Sequence, residues 1–262
     1  MWRPRCTPLA TFLTLLALLA SLSSCKSAEQ RSLEENLEAI RDVTFIPKLG
    51  SYDEEEQRDA IQKVMMGLDR APDIVSNILA ASLKDESYDE RTHLVIARLL
   101  ADKKDVRAVP TLVKHVGSPH EQAQSIVRDA LLEYGSSIVD HVAEVLETGD
   151  ATSRLAAAEI LFELRLAEGY DALYDRESRE PVPEVRFLIL CGTAEDPRPL
   201  AVGRLYRFLM DGDELVRSAA WSAIQEREPT PEVLGYDPDG KPDERRKQVA
   251  RLQQWRENRG DR

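Results

Sequence analysis

The sequence predicts an all-α protein in which helix pairs repeat along the chain as a solenoid and end in a capping helix. One residue position recurs at intervals of 30 to 35 residues, which is the period of solenoids built from helix pairs. Within each period, apolar residues follow the 3.6-residue spacing of a helix with one buried face. No segment shows the sustained apolar and polar alternation that is typical of a strand.

The region 1–24 has the character of an export signal. Two arginines make a basic start, and residues 9–20 are apolar except for two threonines. Residues 22–25 read Leu-Ser-Ser-Cys, which resembles the lipobox of a bacterial lipoprotein. The resemblance implies a signal peptide over 1–24 and a mature chain that begins at a lipidated Cys25. Ordinary export by a cleaved signal peptide and a retained membrane helix are the alternatives, although the apolar run is shorter than the roughly 18 residues of a membrane span.

Residues 25–33 are expected to form a polar tether between the lipid on Cys25 and the helical body. Lys26 stands where resemblance to enterobacterial lipoproteins would place an aspartate for retention in the inner membrane. The predicted location is therefore the cell envelope, with the periplasmic face of the outer membrane favoured in a cell that has one.

The region 34–228 is predicted to hold the helix pairs. The recurring position is occupied by Arg58, His93, Gln124, Arg154, Arg186 and Arg217. Apolar residues that follow it at helical spacing predict the core. They include Ile61, Val64, Met65 and Leu68, then Val127, Ala130, Leu131 and Tyr134, then Ala157, Ile160, Leu161 and Leu164. Short turns such as Gly117-Ser118-Pro119 separate the helices.

Two segments resemble the halves of a HEAT repeat, an armadillo-like helix pair. Residues 105–112 match the start of the outer helix, with Pro110 in the first turn, and residues 213–220 match the inner helix, with an acidic start. The resemblance covers about residues 55–228 and implies a right-handed α-solenoid. It implies little about function, because such solenoids serve many tasks. Gly192 and Thr193 depart from the pattern, which predicts a bend or looser packing there.

The region 229–262 differs from the repeats. Two prolines end the array, and a segment rich in turn residues follows over 235–242. A last helix is predicted from about Asp243 to Arg256, where it caps the final pair. Its apolar side carries Val249, Leu252 and Trp255.

Charge and cysteine content narrow the functional classes. The chain has 35 basic and 47 acidic residues and a net charge of −12, which disfavours nucleic acid as a partner. Of the three cysteines, Cys6 leaves with the leader and Cys25 carries lipid. Cys191 is then alone, so no intrachain disulfide is expected.

A candidate protein-binding surface consists of Arg154, Arg186, Arg217 and Trp221. The arginines either line a groove for an acidic peptide or form an intramolecular charge ladder with acidic residues at helix starts, and the ladder is the simpler interpretation. The expected ladder partners are Asp150, Glu184 and Asp213. Trp221 either flanks the concave surface as a binding anchor or packs in the core.

The search for catalytic residues finds little. His115, His120 and His141 lie close in sequence but lack the ligand spacing of known zinc sites. Cys191 lies in an apolar stretch, where cysteine acts as a small hydrophobic residue. No nucleophile elbow or phosphate-binding glycine loop is present. The sequence therefore predicts no catalytic residue, no metal site and no cofactor.

Together these features predict a membrane-anchored envelope lipoprotein that acts as a protein-binding or scaffolding module. Its expected partners are envelope proteins of unknown identity and the membrane itself, through the lipid on Cys25. An envelope enzyme or metal-binding protein built on the repeats is the first alternative, and a structural spacer in an envelope complex is the second.

Overall fold

The structure, a computed structural model, describes residues 46–260. Within this range the chain forms α-helices joined by turns and short 3-10 helices, with no strand, so the predicted all-α class is confirmed for the described residues. The signal peptide, Cys25 and the tether lie outside the described residues. The helices are α1 Glu54–Arg70, α2 Pro72–Ser82, α3 Glu90–Ala101, α4 Val109–Lys114, α5 Glu121–Leu132, α6 Val139–Thr148, α7 Ala151–Leu164, α8 Ala167–Arg176, α9 Pro183–Glu195, α10 Pro199–Phe208, α11 Glu214–Arg227 and α12 Pro242–Gly260.

The chain divides into two compact units, with the boundary between Val95 and Ile96, inside α3. In the described part of the first unit, α1 packs against α2 and against a 3-10 helix at Ile46–Gly50. Its apolar core includes Leu49, Val64, Leu68, Val75 and Leu79. Asp53 begins α1 by accepting hydrogen bonds from the Glu55 and Glu56 N–H groups, a typical N-cap.

The second unit holds two rows of helices. The odd-numbered helices α5, α7, α9 and α11 pack side by side in chain order and are called the odd row below. The even-numbered helices α4, α6 and α8 pack against one another in the same way, α4 also packs against α5, and each helix from α6 to α10 packs against its successor. Pro110 lies in the first turn of α4, as predicted.

The recurring sequence position falls at the same place in successive helices. His93, Gln124, Arg154, Arg186 and Arg217 are each the fourth residue of their helix. The register is set where the helices start, because Asp150 and Asp213 cap α7 and α11 by accepting hydrogen bonds from backbone N–H groups of the first turn. The repeat read from the sequence therefore corresponds to a shared helix register. Arg58 deviates by one residue, since it is the fifth residue of α1.

The same register decides which side chains are buried in the odd row. The seventh and eleventh residues of all these helices are buried, because positions four apart lie on one helical face. They are Val127 and Leu131 in α5, Ala157 and Leu161 in α7, Ile189 and Thr193 in α9, and Ala220 and Ile224 in α11.

Helix α9 is continuous from Pro183 to Glu195, and Gly192 and Thr193 are both buried in it. Thr193 occupies a core position because its hydroxyl donates a hydrogen bond to the Ile189 carbonyl oxygen at 2.8 Å. A Cβ at Gly192 would lie 2.7 Å from Cδ1 of Leu173 in α8. The small residue therefore allows α8 and α9 to approach closely.

Helix α12 lies against the end of the second unit. Val249 and Leu252 are buried and Trp255 is half-buried, so its apolar side is the predicted one. The Arg256 guanidinium lies over the Tyr206 ring of α10, 5.6 Å from its centre. None of the described helices, α12 included, is both long and apolar enough to cross a membrane.

Gly117 provides a test of the turn between α4 and α5. Its φ is +81°, and a Cβ there would lie 2.5 Å from the Ser153 Cα in α7. We expect Gly117→Ala to lower the free energy of unfolding by about 2 kcal/mol, because alanine is strained at positive φ and its methyl group meets backbone. Gly212→Ala is the control, since nothing lies within 4 Å of that site. Urea unfolding of both variants measures the difference, and equal stabilities would contradict the prediction.

Candidate binding surface on the odd row

Three of the predicted site residues lie near the starts of odd-row helices. Each is the fourth residue of its helix: Arg154 in α7, Arg186 in α9 and Arg217 in α11. Their side chains are mostly buried: those of Arg154 and Arg186 are 13% and 16% exposed, and Arg217 as a residue is 6% exposed. A buried guanidinium needs hydrogen-bond acceptors for its donors, because burial of an unpaired charge is costly.

The Arg154 guanidinium donates hydrogen bonds to two loops, the one before its own helix and the one before the next odd-row helix. Its Nη1 donates to the Gly149 carbonyl oxygen at 2.9 Å, just before its own helix. Its Nε and Nη2 donate to the two carboxylate oxygens of Glu180 at 3.0 and 3.1 Å, just before the next odd-row helix. This bidentate geometry is the strong form of a carboxylate–arginine pair.

Arg186 and Arg217 repeat the arrangement. Arg186 donates to the Pro181 carbonyl oxygen and, through Nε and Nη2, to both oxygens of Asp211, each at 2.8 Å. Arg217 donates to the Gly212 carbonyl oxygen at 2.9 Å and, in place of a carboxylate, to the Pro238 carbonyl oxygen at 2.7 Å. These arginines and their acceptors are called the arginine ladder below.

Glu180 is the most connected member of the ladder. Besides Arg154, it accepts hydrogen bonds from Arg176 Nε at 2.8 Å and from the Val182 N–H at 2.9 Å. Burial of the Glu180 carboxyl favours its neutral form, but the hydrogen bonds from Arg154, Val182 and Arg176 outweigh this and lower its pKa. Glu180 is therefore held as a buried anion that connects α7, α8 and the start of α9.

The carboxylates that bind the ladder arginines are not those expected from the sequence. Asp150 and Asp213 cap their helices, and the carboxylates that bind the arginines are Glu180 and Asp211 instead of Asp150, Glu184 and Asp213. One signal was available in the sequence: Glu180 and Asp211 each lie six residues before the next ladder arginine. The arginine side chains are thus bonded within the chain, which favours the ladder over the groove for an acidic peptide.

Trp221, the fourth predicted site residue, is half-buried in α11. Its ring lies 5.7 Å from the Tyr236 ring at a tilt of 52°. Tyr236 belongs to the segment before α12 and donates its hydroxyl to the Leu209 carbonyl oxygen. Trp221 therefore contributes to the packing of the C-terminal segment, which supports the core-packing interpretation.

The solvent-facing side of the odd row was not predicted as a site. The fifth, ninth and thirteenth positions, counted from each helix start, form a stripe on the side away from the buried seventh and eleventh positions. None of these residues is buried. This stripe is called the exposed stripe below; its exposed residues are Ser125, Asp129, Glu133, Glu163, Phe187, Glu195, Ser222 and Glu226, and its half-buried residues are Leu155, Glu159, Cys191 and Ser218.

Apolar side chains are exposed at the start of this face. Phe187 is 39% exposed, and Leu215, at the second position of α11, is 72% exposed. A groove of about 290 Å³ lies between α5 and α7 and is lined by Ser125, Ala156 and Glu159, among others. The face therefore offers both exposed apolar surface and a depression, the features by which protein surfaces are bound.

The residues weighed for catalysis do not come together. Among the described residues, no group of three His, Cys, Asp or Glu side chains is arranged to hold a metal ion. His120 precedes α5, and His141 is exposed on α6. Burial raises the pKa of the Cys191 thiol, which disfavours the reactive thiolate at neutral pH.

Comparison with other proteins assigns no family. The chain matches no known protein-family model, and no curated protein matches it. The contacts and surfaces of the chain itself are therefore the basis for a functional proposal.

Replacement of Glu180 tests the ladder. We expect Glu180→Gln to lower the free energy of unfolding by about 3 kcal/mol at pH 7, because it leaves the buried Arg154 guanidinium without its anion and leaves Arg176 with only the exposed carboxylate of Glu147. Glu184→Gln, at an exposed site in the first turn of α9, is the matched control and is expected to cost less than about 1 kcal/mol.

The effect of Glu180→Gln is expected to depend on pH. Because the pKa of Glu180 is lowered in the folded protein, its stabilisation is present above the unfolded pKa and is lost as the pH falls through the folded pKa. Urea unfolding at a series of pH values should therefore show the gap between wild type and variant closing below about pH 4. A gap that stays constant would show that Glu180 is not bound as an anion.

Proposed function

We propose that the protein is a lipid-anchored envelope scaffold that binds another protein on the solvent-facing side of its odd row. The observation that carries this proposal is the exposed stripe, which lies on a series of adjacent helices, includes the exposed Phe187 and has the exposed Leu215 beside it. We further propose that the helix pairs form a HEAT-like, right-handed α-solenoid. The repeated register and the packing within each row support that arrangement.

The arginine ladder supports a binding role through preorganisation. It ties the start of α7 to the loop before α9, and the start of α9 to the loop before α11, by hydrogen bonds between 2.8 and 3.1 Å. Such bonds restrict sliding between neighbouring helices. A surface that is already ordered loses less conformational entropy when a partner binds.

The lipid anchor gives the scaffold its location. A lipid on Cys25 would hold the helical body near the membrane and raise its effective concentration for other envelope proteins. The lipobox resemblance supports this part of the proposal, as does Lys26, which favours the outer membrane where one exists.

Photo-cross-linking in cells tests the binding function. We expect a photoreactive residue at position 187 in the odd row to capture one or a few specific envelope proteins, because Phe187 is exposed on the proposed face. The same residue at position 140, exposed on α6, is the control and should not capture them. Recovery of the same abundant proteins from both positions would contradict binding and favour the spacer alternative.

Replacement of the lipobox cysteine tests the anchor. We expect Cys25→Ala to abolish incorporation of a radiolabelled fatty acid and to release the protein from membranes, because the thiol is the only attachment point of the lipid. Cys191→Ala is the matched control and should keep both label and location. Labelling that persists in Cys25→Ala would disprove lipidation at this residue.

A further inference from the structure

The exposed stripe is strongly acidic at one edge. Counted from the helix start, the thirteenth residue is a glutamate in α7, α9 and α11, and in α5 it is the glutamate directly after the last helical residue. No lysine or arginine occurs anywhere in the stripe. These glutamates are Glu133, Glu163, Glu195 and Glu226, and all are exposed. Because the helices lie side by side and share one register, the glutamates form an acidic column.

The acidic column lies at the C-terminal ends of the helices, where negative charge does not stabilise them. Negative side chains near a helix C-terminus are unfavourable by about 0.3 to 1 kcal/mol, because the helix dipole is negative there. The last turns of α5, α7 and α9 contain no basic residue that offsets this effect. A residue choice that breaks a local rule in successive helices points to a role other than stability.

Few internal cations neutralise the column. Arg128 lies 3.6 Å from Glu163, and Arg165 lies 3.1 Å from Glu195, but all four side chains are at least 39% exposed. Such exposed ion pairs contribute only about 0 to 1 kcal/mol and exchange readily for other partners. Glu133 and Glu226 have no ion pair with any described residue.

An apolar edge runs beside the column. Leu155 and Phe187 occupy the fifth position of α7 and α9, which is about 12 Å along the helix axis from the glutamates. Leu215 lies near the start of α11 at the same end. The face thus has an apolar edge near the helix starts and an acidic edge, strengthened by the helix dipoles, near the helix ends.

We propose that this face binds an amphipathic protein segment with lysines or arginines along one side and apolar side chains along the other. Neighbouring helices are about 8 to 10 Å apart, so a helical segment lying across them meets one glutamate about every two turns. Its basic side chains pair with the acidic column, and its apolar side chains contact Leu155, Phe187 and Leu215. This inference rests on the proposed scaffold function and names the chemistry of its partner.

Peptide binding to the full-length protein in non-ionic detergent tests the inference. The probe is a fluorescent helical peptide of about 18 residues with lysine and leucine on opposite sides. Its controls carry glutamate in place of lysine, or serine in place of leucine, and neither should bind. Fluorescence anisotropy measures the dissociation constant at low and high salt.

Two matched variants distinguish an effect of the acidic column on peptide binding from an effect of the net charge of the protein. Both variants remove four negative charges, one set from the odd row and the other from exposed sites on α6 and α8. They are E133Q/E163Q/E195Q/E226Q and, as the control, D140N/E144Q/E168Q/D175N. We expect the first to weaken binding at least about tenfold and the second less than about twofold. Equal weakening by both variants, or by neither, would overturn the inference.

A second pair of variants tests the apolar edge. Leu215→Ser should weaken binding about threefold to tenfold, whereas Val233→Ser, at an 82% exposed site outside the odd row, should leave it unchanged. No effect of Leu215→Ser would contradict this half of the inference. Both sites are exposed enough that folding is retained, and circular dichroism confirms it.

The cellular cross-link distinguishes failure of this inference from failure of the proposed function. A partner captured at position 187 in both the wild type and the E133Q/E163Q/E195Q/E226Q variant would leave the scaffold function standing and overturn the basic-segment inference. Absence of any specific capture in the wild type would overturn both. Capture that is lost in this variant and kept in D140N/E144Q/E168Q/D175N supports both.

Discussion

The arrangement of the second unit depends on a carboxylate that is kept charged inside the protein. Glu180 is tolerated there because two guanidinium groups and a backbone N–H bind it. A charge buried in this way is stable only when all its partners are in place. It therefore specifies one relative position for α7, α8 and α9, whereas apolar contacts alone would permit sliding. Asp211 has the corresponding role between α9 and α11.

The shared register has consequences on both sides of the odd-row helices. Residues at one set of positions form the core, and residues at another set face solvent in matching columns. The ladder arginines are mostly buried and bonded within the chain, so they contribute little positive charge to the surface near the helix starts. The acidic residues of the exposed stripe are left largely unbalanced. The core and the proposed binding face thus follow from the same helix register.

Stability and the proposed binding role make opposite demands on this face. Carboxylates at the ends of α7 and α9, such as Glu163 and Glu195, oppose the helix dipoles. Ion pairs between the loops offset this effect, as do buried side chains such as Leu131 and Leu161. A scaffold that binds through charge needs both features: a rigid frame that keeps the carboxylates in line, and carboxylates that are not neutralised within the chain.

The helices, their register and most of the core could be predicted from the sequence, because capping residues and 3.6-residue spacing act over a few neighbouring residues. Pro110 in a first turn, the shared fourth position and the apolar side of α12 were all predictable in this way. Two contacts could not be predicted in this way: Arg154 binds Glu180 instead of Asp150, and Gly192 allows α8 to lie close to α9. These contacts join residues more than about 15 positions apart. Their geometry depends on the path of the intervening loops and the packing of whole helices, which local patterns do not encode.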